Sequence, residues 1–384
     1  MNAAVSQWEI AAPPADIELG FPRKPLTYVA ALPPGGIGAD TGFMLFICPW
    51  GMVPGGDYCS KVLLPRLAER HDCVVAAANY FGILIKYPAK AMLMPPAGLT
   101  GAVRRLLGDD IARLPVAGQL AALSRAGVEQ LPHDLAFSLS CFPEYQSFGL
   151  MPALDNIAVL ADVLSRFPVR RDRLYCFGSS YGGYIASLML KILPNTFHAV
   201  IENSGFARAR LPEMAGAHFG GHHMVALKGV RVPIQELSPW EFADAASPRF
   251  ISKAVLDIRD CLIADHYAPS KSFLRSYHSI EDEIVPIGEK RQFWDLLSER
   301  MPVRGVEVSA DMVDGRLFKT IGHGMEASLL DLAAAALMDL PFSAEDSATD
   351  FDRGIERNLA AGDRTYRFRL DPDLGFHARL DKAD

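Results

Sequence analysis

Apolar positions along the chain follow two different periods. Phe43-Met-Leu-Phe-Ile-Cys, Cys73-Val-Val-Ala-Ala-Ala and Leu174-Tyr-Cys-Phe are unbroken apolar runs, the pattern of short strands buried on both faces. Elsewhere the spacing changes to i, i+3, i+4, i+7. Ile185, Leu188, Met189 and Ile192 mark one helical face, ended by Pro194, and Phe293, Leu296, Leu297 and Met301 mark another. Further helices are predicted from Tyr58 to Arg70, from near Pro152 (Leu154, Ile157, Ala161 and Leu164 inward) and from Ala327 to Leu340. Further strands are predicted at Phe197 to Glu202, Phe273 to His278 and Gly305 to Val308. Near the start, Asp16 to Leu19 and Leu26 to Leu32 read as edge strands ended by Pro33-Pro34-Gly35-Gly36. Near the end, Thr365 to Leu370 alternates strictly, an edge strand with Tyr366, Phe368 and Leu370 inward.

Two connections are too long for simple loops. Residues 84–148 (Leu84 to Phe148) and 206–270 (Phe206 to about Ser270) interrupt the alternation, and ordered connections of such length are usually functional. Apolar and basic helical segments at Leu99 to Leu107 and Ile111 to Leu123 suggest an inserted cap in the first. Both open on the side of the chain's most informative turn, so together they are expected to roof a pocket. The alternative is an apolar surface for a homo-oligomer. Residues 1–340 are thus expected to form one domain with two insertions, and 341–384 a polar, acidic linker (Pro341 to Asp352) followed by the edge strand.

That turn is Gly178-Ser179-Ser180-Tyr181-Gly182, a G-x-S-x-G sequence between a predicted strand and a predicted helix. Only Ser180 fits as the central serine, because Ser179 would need glycine at 177 and finds Phe177. A nucleophile on so tight a turn has backbone against it from both sides, so a Cβ at 178 or 182 would clash. Ser180 then stands at a helix N-terminus, where free N–H groups and the dipole favour developing negative charge. A serine needs a base, and the base needs an orienting group. Asp282, in His278-Ser-Ile-Glu-Asp-Glu-Ile-Val-Pro, is the preferred acid, with Glu281 and Glu283 as adjacent rivals. His323, between two glycines in Thr320-Ile-Gly-His-Gly-Met, is the base. The order Ser180, Asp282, His323 is the chain order of one known triad class.

These stretches resemble the α/β-hydrolase superfamily over about Phe43 to Leu340, and within it the catalytic domain of the prolyl-oligopeptidase group, Ser-Tyr-Gly-Gly-Tyr being the most specific part. The resemblance implies the α/β-hydrolase fold, an α/β chain with a mostly parallel central sheet flanked by helices, and a triad of Ser180, Asp282 and His323. It also implies an oxyanion hole from the loop after the strand at Phe43 and from the residue after the nucleophile. We assign its donors to the backbone N–H groups of Met52 and Tyr181, with Trp50 and Gly51 beside the substrate. Trp50 reads equally as core filling or as a wall of the acyl pocket. Peptidases of that group carry a propeller, for which four blades would need about 160 residues. Only 42 residues precede Phe43, so no propeller gate is expected. Pro49-Trp-Gly-Met, Asp57-Tyr-Cys and Asn79-Tyr-Phe-Gly-Ile are also similar, more loosely, to a bacterial family of unassigned hydrolases associated with surface-glycan genes.

Composition narrows the reading. The chain has 384 residues, half of them hydrophobic, and a net charge of −7, which argues against a nucleic-acid partner. Six cysteines form no C-x-x-C pair, and several sit in predicted core strands, as in a reducing compartment. The first residues lack the basic and apolar regions of a signal peptide, and no run of 18 apolar residues exists, so a cytoplasmic chain without a membrane span is expected. His218-Phe-Gly-Gly-His222-His223, with Glu213 nearby, is the one sequence with the flavour of a metal site. It lacks a fourth ligand and a recognised spacing, so His222 is taken as substrate-facing, and no metal or cofactor is expected. Glu202 ends its strand near the site and is a further substrate candidate. Arg367 and Arg369 either hold an anionic substrate or, as we read them, line a solvated strand face. The expected activity is ester hydrolysis on a small molecule. A short-peptide peptidase, an acyltransferase with the same triad, and a non-catalytic binding module follow in that order.

Overall fold

The computed structural model of the protein describes residues 4–86, 92–140, 142–216, 223–341 and 347–382. Strands β1 (Val5–Ile10), β2 (Leu26–Ala31) and β3 (Gly42–Ile47) precede helix α1 (Leu64–His71) and β4 (Cys73–Ala78). The first long connection carries β5 (Met92–Met94), α2 (Leu99–Leu107), α3 (Asp109–Ala112), α4 (Val116–Arg125) and β6 (Phe137–Ser140). Next come α5 (Leu150–Arg166), β7 (Leu174–Ser179), α6 (Tyr181–Ile192) and β8 (Ala199–Asn203). The second connection carries α7 (Leu211–Ala215), β9 (His223–Leu227), β10 (Val230–Glu236) and α8 (Lys253–Asp257). The alternation ends with β11 (Phe273–Ser279), α9 (Ile287–Ser298), β12 (Val303–Val308) and α10 (Leu329–Leu337), and β13 (Glu356–Ala361), β14 (Arg364–Leu370) and β15 (Phe376–Lys382) follow.

The chain divides into two compact units, the first made of residues 1–83, 147–209 and 251–384. Its main sheet has the order β1-β2-β4-β3-β7-β8-β11-β12. From β4 to β12 all neighbours are parallel, whereas β2 is antiparallel to β4 and β1 to β2. This is the strand order of the α/β-hydrolase fold. β3, β4, β7 and β8 are buried at every position, which is why they read as continuous apolar runs. Cys48, Cys59, Cys73, Cys176 and Cys261 are free and buried. Among the described residues no helix is long and apolar enough to cross a membrane.

Three sequence expectations for this unit are corrected. Asp16 to Leu19 is a turn: the Asp16 carboxylate accepts the backbone N–H groups of Glu18, Leu19 and Phe21 at 3.1–3.2 Å, in competition with any strand ladder. The outer edge strand is instead β1, whose positions are mostly exposed and so show no alternation. Thr365 to Leu370 is the middle strand of an antiparallel sheet, β13-β14-β15, with Tyr366, Phe368 and Leu370 buried. Of the expected linker, residues 342–346 lie outside the described residues, and Thr349, Asp350 and Phe351 are buried. Asp350 accepts Asn195 N at 2.7 Å and Thr196 Oγ1 at 2.8 Å, which anchors the segment; burial raises its pKa in spite of these bonds.

The second unit comprises residues 84–146 and 210–250. The two connections, read from the sequence as separate insertions, share one sheet, β5-β6-β10-β9, with the parallel pair β6 and β10 in its centre. Leu99, Val103, Leu120 and Leu123 from the helices cover Phe137, Leu139, Val232 and Ile234. β5 and β6 are three and four residues long, too short for a period to show.

Candidate active site

The site is built where β7 ends. β7 lies between β3 and β8, and the chain leaves it through Ser180, whose φ of 52° and ψ of −119° are unusual for a residue with a Cβ. Close packing enforces the flanking glycines. A Cβ on Gly178 would sit 2.2 Å from the Gly182 carbonyl oxygen, and one on Gly182 would sit 2.1 Å from that of Ile47. Ser180 N donates to Asn203 O at 2.6 Å, and Ser180 O accepts Tyr184 N at 3.1 Å, the first turn of α6.

Three side chains meet there. His323 Nε2 is 2.7 Å from Ser180 Oγ, and its Nδ1 is 2.8 and 3.0 Å from the two oxygens of Asp282. With Asp282 ionised, Nδ1 carries the proton and Nε2 is the acceptor for the Ser180 hydroxyl. Asp282 Oδ1 also accepts Ile284 N and Val285 N, both at 2.9 Å. Burial pushes the Asp282 pKa up, but hydrogen bonds from His323, Val285 and Ile284 outweigh it, and the net shift is downward. The rivals Glu281 and Glu283 are both exposed. Beneath Asp282, His278 Nε2 donates to Val285 O at 2.8 Å, and burial lowers the pKa of this histidine so that it stays neutral.

The remaining predicted residues fare differently. Pro49-Trp50-Gly51-Met52 is a turn closed by Met52 N donating to Pro49 O at 3.2 Å, with Gly51 at a φ of 82° in its third position. Met52 is therefore a correction, because its N–H is spent on the turn. Trp50 stacks on Tyr181 with ring centroids 4.5 Å apart and packs against Phe148 and Phe206, so it belongs to an aromatic wall. Phe206 in turn lies 6.2 Å from the His323 ring. Glu202 is a second correction. It is wholly buried, paired to Lys290 Nζ at 2.6 Å, and accepts Gly205 N at 2.8 Å and the Ser276 hydroxyl. A carboxylate so enclosed and neutralised supports the site and does not face substrate. His218 and His222 lie outside the described residues, and no group able to hold a metal occurs among those described. Sequence reasoning passed over Phe148, Phe206, Asn203 and Ser204. The only local sign of the last two was a short polar run, Asn-Ser-Gly, at the end of an apolar strand.

The profile of a family described as "Protein of unknown function (DUF2920)" matches residues 117–374. The chain belongs to that family. No curated protein matches it. Among solved structures, the acylaminoacyl peptidase of Pyrococcus horikoshii is 15% identical with a TM-score of 0.47, covering 88% of this chain and 41% of that one. The chain thus spans about two fifths of that peptidase's length. Esterase 2 of Thermogutta terrifontis, phosphonylated by cyclosarin, is 12% identical with a TM-score of 0.40 over 84% of this chain and 91% of its own. An arylesterase is 12% identical with a TM-score of 0.43 over 87% and 82%. The activities in those names are those proteins' own.

Proposed function

We propose that this member of the family is a serine hydrolase that cleaves a carboxylic ester of a small molecule through an acyl-enzyme. One observation carries the reading: the unbroken chain Ser180 Oγ, His323 Nε2, His323 Nδ1, Asp282 at 2.7 and 2.8 Å, set on a strained turn at a helix N-terminus. Ser180 Oγ attacks the ester carbonyl while its proton passes to His323 Nε2. Collapse of the tetrahedral intermediate expels the alcohol, which takes that proton, and leaves the acyl group on Ser180. Water, deprotonated by His323, then attacks the acyl-enzyme and releases the acid. Asp282, kept ionised by its hydrogen bonds, holds the Nδ1–H tautomer and stabilises the imidazolium. We assign the oxyanion donors to the amides of Tyr181, first residue of α6, and Gly51, on the turn whose Met52 amide is committed to Pro49.

The test is Ser180→Ala, assayed with p-nitrophenyl acetate and by labelling with a fluorophosphonate. Loss of both activities in a folded variant supports the reading, and the loss should approach the whole contribution of the triad, because its members act as a unit. Wild-type esterase rates in folded Ser180→Ala would overturn it. Turnover of a peptide amide at rates above the ester would move the substrate class to peptides and leave the triad in place.

A further inference from the structure

We infer that Asn203 and Ser204, at the C-terminal end of β8, are positioning residues that couple the Ser180 turn to the His323 loop and set the two reacting side chains in register. The inference rests on the serine-hydrolase reading above. The dipeptide touches both halves of the pair. Asn203 O accepts Ser180 N at 2.6 Å, and Asn203 Nδ2 donates to Gly324 O and to Ser179 Oγ, both at 3.3 Å. Ser204 Oγ accepts Gly324 N at 3.1 Å and donates to Asn203 Oδ1 at 3.3 Å, which closes a ring of hydrogen bonds. Gly324, the residue after His323, therefore has its N–H and its C=O held by the dipeptide whose own carbonyl holds the nucleophile's amide. Asn203 and Ser204 are buried, at 1% and 0% exposure, so water does not compete for these bonds.

The backbone of Ser204 points the same way. Its φ is +53°, a region where glycine is the default residue, yet a serine stands there. The hydroxyl is the group that glycine would lack, and it is spent on Gly324 N. The His323 loop needs such a hold, because Gly324, Met325 and Glu326 all have positive φ, at 75°, 55° and 42°. The dipeptide is itself fixed. Ser204 N donates to Tyr277 O at 2.9 Å on β11, and Glu202, immediately before it, is locked by Lys290, Gly205 N and Ser276. Releasing Gly324 would let His323 drift relative to Ser180, and a misplacement of about 1 Å in such an array can cost about 100-fold in rate.

The experiment compares Ser204→Gly and Ser204→Ala with wild type in three readouts: kcat and KM for p-nitrophenyl acetate, the rate of Ser180 labelling by a fluorophosphonate, and the thermal midpoint. Both variants lack the hydroxyl, and only glycine relieves the backbone. The expected result is a fall of about 10- to 100-fold in kcat and in labelling rate for both, with KM near wild type, while Ser204→Gly melts no lower than Ser204→Ala. A merely structural serine would give a different pattern: activity following stability, with the glycine variant as active as wild type. Wild-type protein that is labelled and active, with both variants matching it, overturns the coupling alone. Wild-type protein that is neither labelled nor active overturns the hydrolase reading and the coupling with it.

Discussion

The Ser180 turn and the His323 loop face the same task and solve it differently. Each must set one member of the Ser180–His323 pair by way of backbone of positive φ: Ser180 itself in the first, and Gly324, Met325 and Glu326, just after His323, in the second. At the serine the solution is local and steric: β7 is clamped between β3 and β8, and Gly178 and Gly182 exist because carbonyl groups fill the space their side chains would need. At the histidine the backbone is open. No atom lies within 4 Å of where a Cβ on Gly322 or Gly324 would be, so close packing at these two glycines does not shape that loop, although Met325 beyond them is buried. Besides local backbone bonds, such as Ala327 N to Gly324 O and Lys319 N to Met325 O, it is held by partners far away in sequence: Asp282 on Nδ1, Asn203 and Ser204 on Gly324, and Ser279, whose hydroxyl donates to Ile321 O. A turn built by exclusion needs particular small residues, whereas a loop built by attachment needs particular distant ones.

The largest expected effect lies on the attachment side. Asp282→Asn should lower kcat by about 10⁴-fold with little change in fold, since it removes the group that fixes the imidazole tautomer. Glu281→Gln and Glu283→Gln, on exposed positions, should stay within a few-fold of wild type. Steady-state kinetics on the three variants decides it, and a larger loss at either glutamate would give the acid's role to that residue.

Next come the glycines, which separate the two mechanisms directly. Gly182→Ala drives a Cβ into the Ile47 carbonyl and should cost about 3 kcal/mol or prevent folding. Gly324→Ala meets open space at a φ of 75° and should cost about 1 kcal/mol, from backbone conformation alone. Urea unfolding measures both. Equal losses would erase the contrast between steric and attached turns.

The smallest effect is a pH dependence. The folded-state pKa of Asp282 is lowered, so the ionised group contributes stability that is present above the unfolded value of about 4 and is lost as pH falls through the folded value. The stability gap between wild type and Asp282→Asn should therefore change as pH falls below about 4. A gap that stays constant down to pH 2.5 would show that Asp282 carries no folded-state shift.

What could be read from the sequence, and what could not, follows the same division. The strand, turn and helix around Ser180 were legible because each is set by nearby residues: an apolar run, glycines at fixed offsets and a 3.6-residue period. Asp282 and His323 were legible through their order after the serine together with their places, the one on the loop after His278 and the other between two glycines. Glu202 was misread because a carboxylate at the end of a strand looks the same in sequence whether it faces substrate or, as here, a buried Lys290 from α9. Met52 was misread because the loop's place was clear from the strand before it, but the turn that consumes its amide depends on backbone angles. Asn203 and Ser204 drew no notice, since their partners lie more than a hundred residues away on the His323 loop. The two long insertions were legible as insertions, but their common sheet was not, because hydrogen bonds between β6 and β10 join segments with no shared local pattern. The sequence by itself determined the alternating layers, the glycine-flanked turn at Ser180 and the choice of the three polar residues that the structure brings together. Only the tertiary structure decided which distant groups hold them at bonding distance, because that register is set by strand pairing across the sheet and no local period records it.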